Sequence, residues 1–165
     1  MRRSGDFARD NANTVDEDLK VPLQRACRWL ISESYVDDRG LRTWHPAALE
    51  GASRPCGASA RQAWCYGTPG LAWALWQVGQ VLNDQTLCNF AEEAMHSFCD
   101  AFDEGVYTDG GPADEALSIC HGAAGMLAVA DAFALYAGHV QAARLRRAAR
   151  GLPARSCRRD WPARP

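Results

Sequence analysis

Two heptapeptides constrain this chain more than any other feature: Cys65-Tyr66-Gly67-Thr68-Pro69-Gly70-Leu71 and Cys120-His121-Gly122-Ala123-Ala124-Gly125-Met126. They align with a period of 55 residues, and an apolar run follows each one, Leu71–Trp76 in the first copy and Met126–Ala130 in the second. Such an internal repeat reads as one helical unit used twice, because repeated units bury their apolar faces against each other. The copies place two cysteines at equivalent positions, and a histidine in the second copy only. Zinc takes thiolate and imidazole ligands in a tetrahedron, and a catalytic zinc keeps one position for water or substrate. Cys65, Cys120 and His121 are therefore candidate zinc ligands with a vacant fourth position. Adjacent Cys and His ligands suit the turn before a helix, where Gly122 relaxes the backbone, better than a helix interior. No C-x-x-C pair accompanies them. On spacing alone, two inert cysteines and a capping histidine explain the pattern equally well.

The other cysteines bear on redox compartment. There are seven in all, an odd number, and the opening Met1-Arg2-Arg3-Ser4-Gly5-Asp6 leads into polar sequence without the apolar segment of a secretory signal. The expectation is a cytoplasmic protein with reduced thiols, in which metal binding is a better use of special cysteines than a disulfide framework. No stretch of about 18 apolar residues predicts a membrane span. At 165 residues, 47% apolar and 23% charged, the chain reads as one soluble globular domain. Its charge is uneven: residues 1–140 carry 10 basic and 19 acidic side chains, residues 141–165 eight Arg and one Asp. A basic tail can attract nucleic acid. This one has Trp161 as its sole aromatic and no nucleic-acid module, so no nucleic-acid partner is expected.

Along the chain, residues 1–14 are polar and read as a flexible start. From Asp16 to about Ser34, Leu19, Leu23, Ala26, Cys27, Leu30 and Ile31 recur near 3.6 spacing, predicting an amphipathic helix with acids at its front and Pro22 early in it. Tyr35–Ala60 reads as loop, with a turn at Asp37–Gly40 and a short strand at Leu41–Trp44; His45 within it reads as solvent-facing or locally hydrogen-bonded. Leu71–Leu82 is apolar nearly all round, as in a buried helix. Asp84 should cap a second helix through about Phe102, with Leu87, Phe90, Ala91, Ala94, Met95 and Phe98 on one face. Asp103–Ser118 reads as loop, and Gly122 to about Gly138 as another buried helix. Ala142–Arg150 has helical character, after which an Arg- and Pro-rich tail offers nothing to pack. The alternation of buried and amphipathic helices predicts an all-α chain, a partial α/α toroid of inner and outer helices over residues 15–140, with 141–165 as a disordered tail.

The paired motifs Trp64-Cys65-Tyr66-Gly67-Thr68-Pro69-Gly70 and Cys120-His121-Gly122-Ala123-Ala124-Gly125 resemble the C-terminal half of the lanthionine synthetase C family, the cyclases of lanthipeptide biosynthesis. The resemblance runs from about Trp44 to Gly138. It implies an α/α toroid with a central zinc on Cys65, Cys120 and His121. It also implies a substrate, a dehydrated precursor peptide whose cysteine thiolate adds to dehydroalanine or dehydrobutyrine to close a thioether ring. A dehydratase or a complementary N-terminal half are the protein partners it suggests. Arg61, four residues before the first ligand, matches an arginine of that family; its implied role is to stabilise developing negative charge, and the alternative is a surface arginine. Family cyclases are more than twice this length and carry, upstream, an H-G motif whose histidine handles the proton. No H-G precedes Cys65 in the sequence given, so no general acid or base is assigned. A non-catalytic zinc- or thiol-peptide-binding module and a truncated remnant without function are the competing expectations.

Overall fold

Asp16 opens the first helix by accepting a hydrogen bond from the Asp18 backbone N–H (3.2 Å), which satisfies one of the free donors of a helix start. In the computed structural model, which describes residues 16–45, 62–108 and 118–149, this helix, α1, spans Glu17–Ser32 and contains Pro22. Cys27 is its buried residue, with Leu30 and Ile31 partly buried against the core. Leu19, Val21 and Trp29 remain exposed.

An antiparallel hairpin follows, β1 (Ser34–Val36) and β2 (Arg42–Trp44), pairing Ser34 with Trp44 and Val36 with Arg42. The strand at β2 was expected; its partner was not, since Tyr35 onward reads as loop in the sequence. The hairpin is held from both ends. The Asp37 carboxylate accepts from the N–H groups of Arg39 (3.0 Å) and Leu41 (2.9 Å). Trp44 Nε1–H donates to the Leu30 carbonyl (2.6 Å) and Arg42 N–H to Ser97 Oγ (3.0 Å), tying the strands to the helices on either side. His45 ends the segment stacked on Tyr35, ring centroids 4.2 Å apart.

The centre of the fold is a helix pair. Helix α2 (Thr68–Leu82) packs along α3 (Gln85–Asp100) across a two-residue connection. Asn83 takes the left-handed conformation there (φ 53°), and the Asp84 N–H returns to the Gly79 carbonyl at 2.8 Å. The Asp84 side chain then caps α3 through the Leu87 N–H (3.0 Å), as the sequence predicts.

After a short helix α4 (Gly105–Thr108), where a loop was expected, helix α5 (Ala123–Ala132) passes into a π-helical turn, Phe133–Ala137, and then α6 (Val140–Ala149). Trp76, Phe133, Leu75, Met95 and Met126 are fully buried where α2, α3 and α5 meet. Trp73 stacks on Trp76 (5.1 Å) and meets the edge of Phe133 (5.4 Å). The helical character expected of Ala142–Arg150 is present in α6 up to Ala149, and Ala142 and Leu145 join the core. The expected flexible N-terminus, the 46–60 part of the long loop and the 150–165 tail lie outside the described residues. The described architecture is thus mostly helical with one small hairpin. None of its helices is long and apolar enough to cross a membrane.

Candidate metal centre

The two repeat copies meet at their turns. Residues 62–67 lead into α2, and Ser118–Gly122 lead into α5. The Cys65 N–H donates to the Cys120 carbonyl (3.2 Å), so the turns are joined through the backbones of the two cysteines.

Each turn is closed by the same steric device. A Cβ on Gly70, the third residue of α2, would collide with the Trp64 carbonyl; one on Gly125, the third residue of α5, would collide with the Ile119 carbonyl. The residue before each cysteine therefore lays its carbonyl on a glycine of the following helix. The Cβ of Trp64 also lies 2.8 Å from the Cβ position of Gly125, which packs the first turn onto the second helix.

The turns differ in how they are capped. In the first, Gly67 stands at the helix start with φ 84° and offers no side-chain cap. Gln62, 3% exposed, supplies the acceptor instead: its Oε1 takes the Thr68 N–H at 2.7 Å and the Thr43 hydroxyl at 3.5 Å. The Thr68 hydroxyl donates to the Arg42 carbonyl (2.8 Å), anchoring the turn to β2. In the second turn, Ser118 accepts twice, from the His121 N–H at its Oγ (3.0 Å) and from the Gly122 N–H at its carbonyl (3.1 Å).

The outcome is a cluster in which the Cys65 and Cys120 sulfurs and a His121 ring nitrogen all lie within 4.8 Å of one another. All three residues are exposed, and both thiols are free. Tyr66 lies beside the His121 ring, centroids 5.7 Å apart. Burial around its sulfur and the hydrogen bond and charge of the adjacent Cys120 thiol push the Cys65 thiol above its ordinary value. Two neighbouring sulfurs resist carrying two negative charges, and a cation between them relieves that resistance. Donors on a tetrahedral zinc stand roughly 3.5–3.8 Å apart, from bond lengths of about 2.0–2.3 Å. The observed donors lie within 4.8 Å of one another, and their S, S, N chemistry suits zinc.

Cys65, Cys120 and His121, singled out in the sequence, are therefore brought together. Arg61 lies outside the described residues. The remaining histidines stand apart from this cluster: His96 pairs with Asp100 on α3 (3.2 Å), and His139 caps α6. The sequence reading missed Gln62 and Ser118. For Ser118 a signal existed, a serine three residues before His121 and just ahead of a helix; for Gln62 the acceptor comes from six residues upstream of its donor and no local pattern announces it.

Comparison with curated proteins and with solved structures finds no match. The family model described as lanthionine synthetase C-like protein matches residues 10–152. That span holds both glycine-led turns and the whole Cys65–Cys120–His121 cluster, and the chain belongs to the lanthionine synthetase C-like family.

Proposed function

We propose that Cys65, Cys120 and His121 hold zinc and that the chain carries the metal-binding part of a peptide thioether cyclase. The observation that supports this most directly is the convergence of three zinc-type donors from two turns 55 residues apart, in a chain of this family. The reaction adds a cysteine S–H across the C=C bond of a dehydroalanine or dehydrobutyrine in a dehydrated precursor peptide. A bond forms between sulfur and the β-carbon, and the α-carbon takes a proton. Zinc with three protein donors and one position left for substrate would lower the pKa of a peptide thiol, so that the nucleophile is present at neutral pH.

The residues of the chain have distinct parts in this reading. The Cys65 N–H to Cys120 carbonyl bond keeps the two sulfurs in register, and the glycine-seated carbonyls fix the height of each turn. Arg61 would meet the negative charge that develops on the substrate carbonyl during addition. Helices α2 and α5, which are apolar on most faces and both follow the site's turns, would be inner helices of an α/α toroid, with α3 and α6 outside them. The free cysteines among the described residues suit a cytoplasmic setting.

Zinc analysis of the purified chain beside Cys120→Ala tests the reading. One equivalent in the parent and none in the variant is expected; a parent without stoichiometric metal sinks the site and the chemistry together. With zinc present, loss of free thiols from a dehydrated precursor peptide scores cyclisation. Unchanged thiol counts in a zinc-loaded chain would favour a zinc- or thiol-peptide-binding module.

A further inference from the structure

We propose that Cys65 and Cys120 are the site of a reversible disulfide, formed by a peroxide, which takes two of the three donors from the metal cluster. The disulfide rests on the geometry of the pair alone; its effect on zinc rests on the metal reading above.

The two residues face each other through their backbones, the Cys65 N–H donating to the Cys120 carbonyl at 3.2 Å. Facing residues joined by such a bond in an antiparallel ladder stand about 5.5 Å apart at Cα. A disulfide takes Cα separations of about 4.4–6.8 Å. The two sulfurs lie within 4.8 Å of each other, and the thiols share a hydrogen bond. Both side chains are exposed and both thiols are free. Exposed side chains exchange rotamers rapidly, so the sulfurs meet by rotation about their own Cα–Cβ bonds. The turns beneath them keep their place, because the Trp64 carbonyl seats on Gly70 and the Ile119 carbonyl on Gly125. The other cysteines among the described residues lack this setting. Cys27 and Cys88 are buried, and the Cys88 sulfur is engaged by the Gln80 side-chain amide (3.3 Å). Burial, with Asp100 nearby, pushes the Cys99 thiol up to about 12.

The chemistry balances with a peroxide as oxidant. One thiolate attacks a peroxide oxygen, the O–O bond breaks, and the sulfur becomes a sulfenic acid. The second thiolate attacks that sulfur, forms the S–S bond and expels hydroxide. The protons that the thiols gave up leave with the oxygens, so two thiols and one hydrogen peroxide give one disulfide and two waters. Zinc is held by thiolate, not by disulfide sulfur, and His121 is then the one donor left in the cluster. Metal and crosslink exclude each other.

The test treats the metal-free chain with hydrogen peroxide and maps its peptides by mass under non-reducing conditions. A Cys65–Cys120 link within one chain, reversed by dithiothreitol, is expected. Cys65→Ser and Cys120→Ser should lose the link, whereas His121→Ala, which removes a metal donor but no sulfur, should keep it. Oxidation of the two cysteines to unlinked sulfinic acids overturns the proposal. So does their linkage to Cys56, to Cys157 or to a second chain in place of each other. In a second arm, free zinc at about ten times its Kd should slow the crosslink about tenfold, because only the metal-free fraction reacts. Zinc should leave as the link forms and return after reduction. A zinc-loaded chain that crosslinks at the metal-free rate, or keeps its metal once crosslinked, overturns the exclusion. A chain that takes up no zinc defeats the metal reading, and the peptide map still decides the disulfide.

Discussion

The backbone carbonyl of Trp64 occupies the space a side chain on Gly70 would need, and Ile119 stands to Gly125 in the same relation. The obstructing atoms are backbone, not the flexible end of a side chain. Gly70→Ala and Gly125→Ala should each destabilise the chain by about 1–3 kcal/mol through forced displacement of the turn. Because Cys65 and Cys120 are the next residues along, zinc content should fall with stability. Urea midpoints and metal analysis on the same preparations check both; an alanine at either site that keeps full stability would contradict the geometry.

Gln62 should behave as a cap. Gln62→Leu leaves the buried Thr68 N–H without its acceptor, at a cost of about 1–3 kcal/mol. Gln62→Glu retains an acceptor oxygen and should recover part of that loss. Chemical denaturation at neutral pH separates the two variants.

Metal removal has its own signature. If zinc binds only the folded chain, free metal at about 1,000 times its Kd adds about 4 kcal/mol of stability. Chelation should therefore lower the thermal midpoint of the parent chain and leave Cys65→Ser, Cys120→Ser and His121→Ala unchanged. A parent chain insensitive to chelator would count against the three-residue site.

For Arg61 the expectation is kinetic. Arg61→Ala should leave zinc content intact while slowing ring closure by roughly 100- to 1,000-fold, the range for losing one stabiliser of developing negative charge. Single-turnover thioether formation measures it, and an unchanged rate would return Arg61 to an ordinary surface role.

A pH effect is expected away from the cluster. His139 Nδ1 accepts from the Ala142 N–H (3.1 Å), which requires an unprotonated Nδ1, and its Nε2–H then donates to the Glu92 carbonyl (3.2 Å). Burial pushes this histidine below its ordinary value, with the neighbouring His96 acting in the same direction and the Glu92 carbonyl, Glu92 and Asp100 opposing. The unfolded chain therefore takes up the proton first. Stability from this group is complete above the unfolded value, about 6.5, and declines as pH falls from there toward the folded value. His139→Asn keeps a capping acceptor and cannot titrate, so its thermal midpoint should fall less than that of the parent when the pH is lowered from about 7.5 to about 5.5.

Much of this was legible in the sequence because its causes are local. Asp84 caps α3 as its residue type predicts, α1 begins close to Asp16 with acids at its front, and the apolar pattern located α2 and α5 to within a few residues. The Cys65–Cys120–His121 grouping was readable because repetition places equivalent residues in equivalent turns. What escaped has non-local causes. Strand β1 has only three residues and exists through its pairing with β2. The π-helical turn at Phe133–Ala137 interrupts a helix the sequence shows as continuous. His139 reads as a residue beyond the repeat, yet it joins α6 to α3 through Glu92.

Tyr66 stands in the first copy where His121 stands in the second, and the two rings face each other across the junction. Two identical turns would have contributed two thiols and two imidazoles, the full complement of a closed structural zinc site. A single departure from two-fold symmetry, tyrosine for histidine, leaves three donors of that type. Chemistry at such a junction depends on the repeat being imperfect at one position.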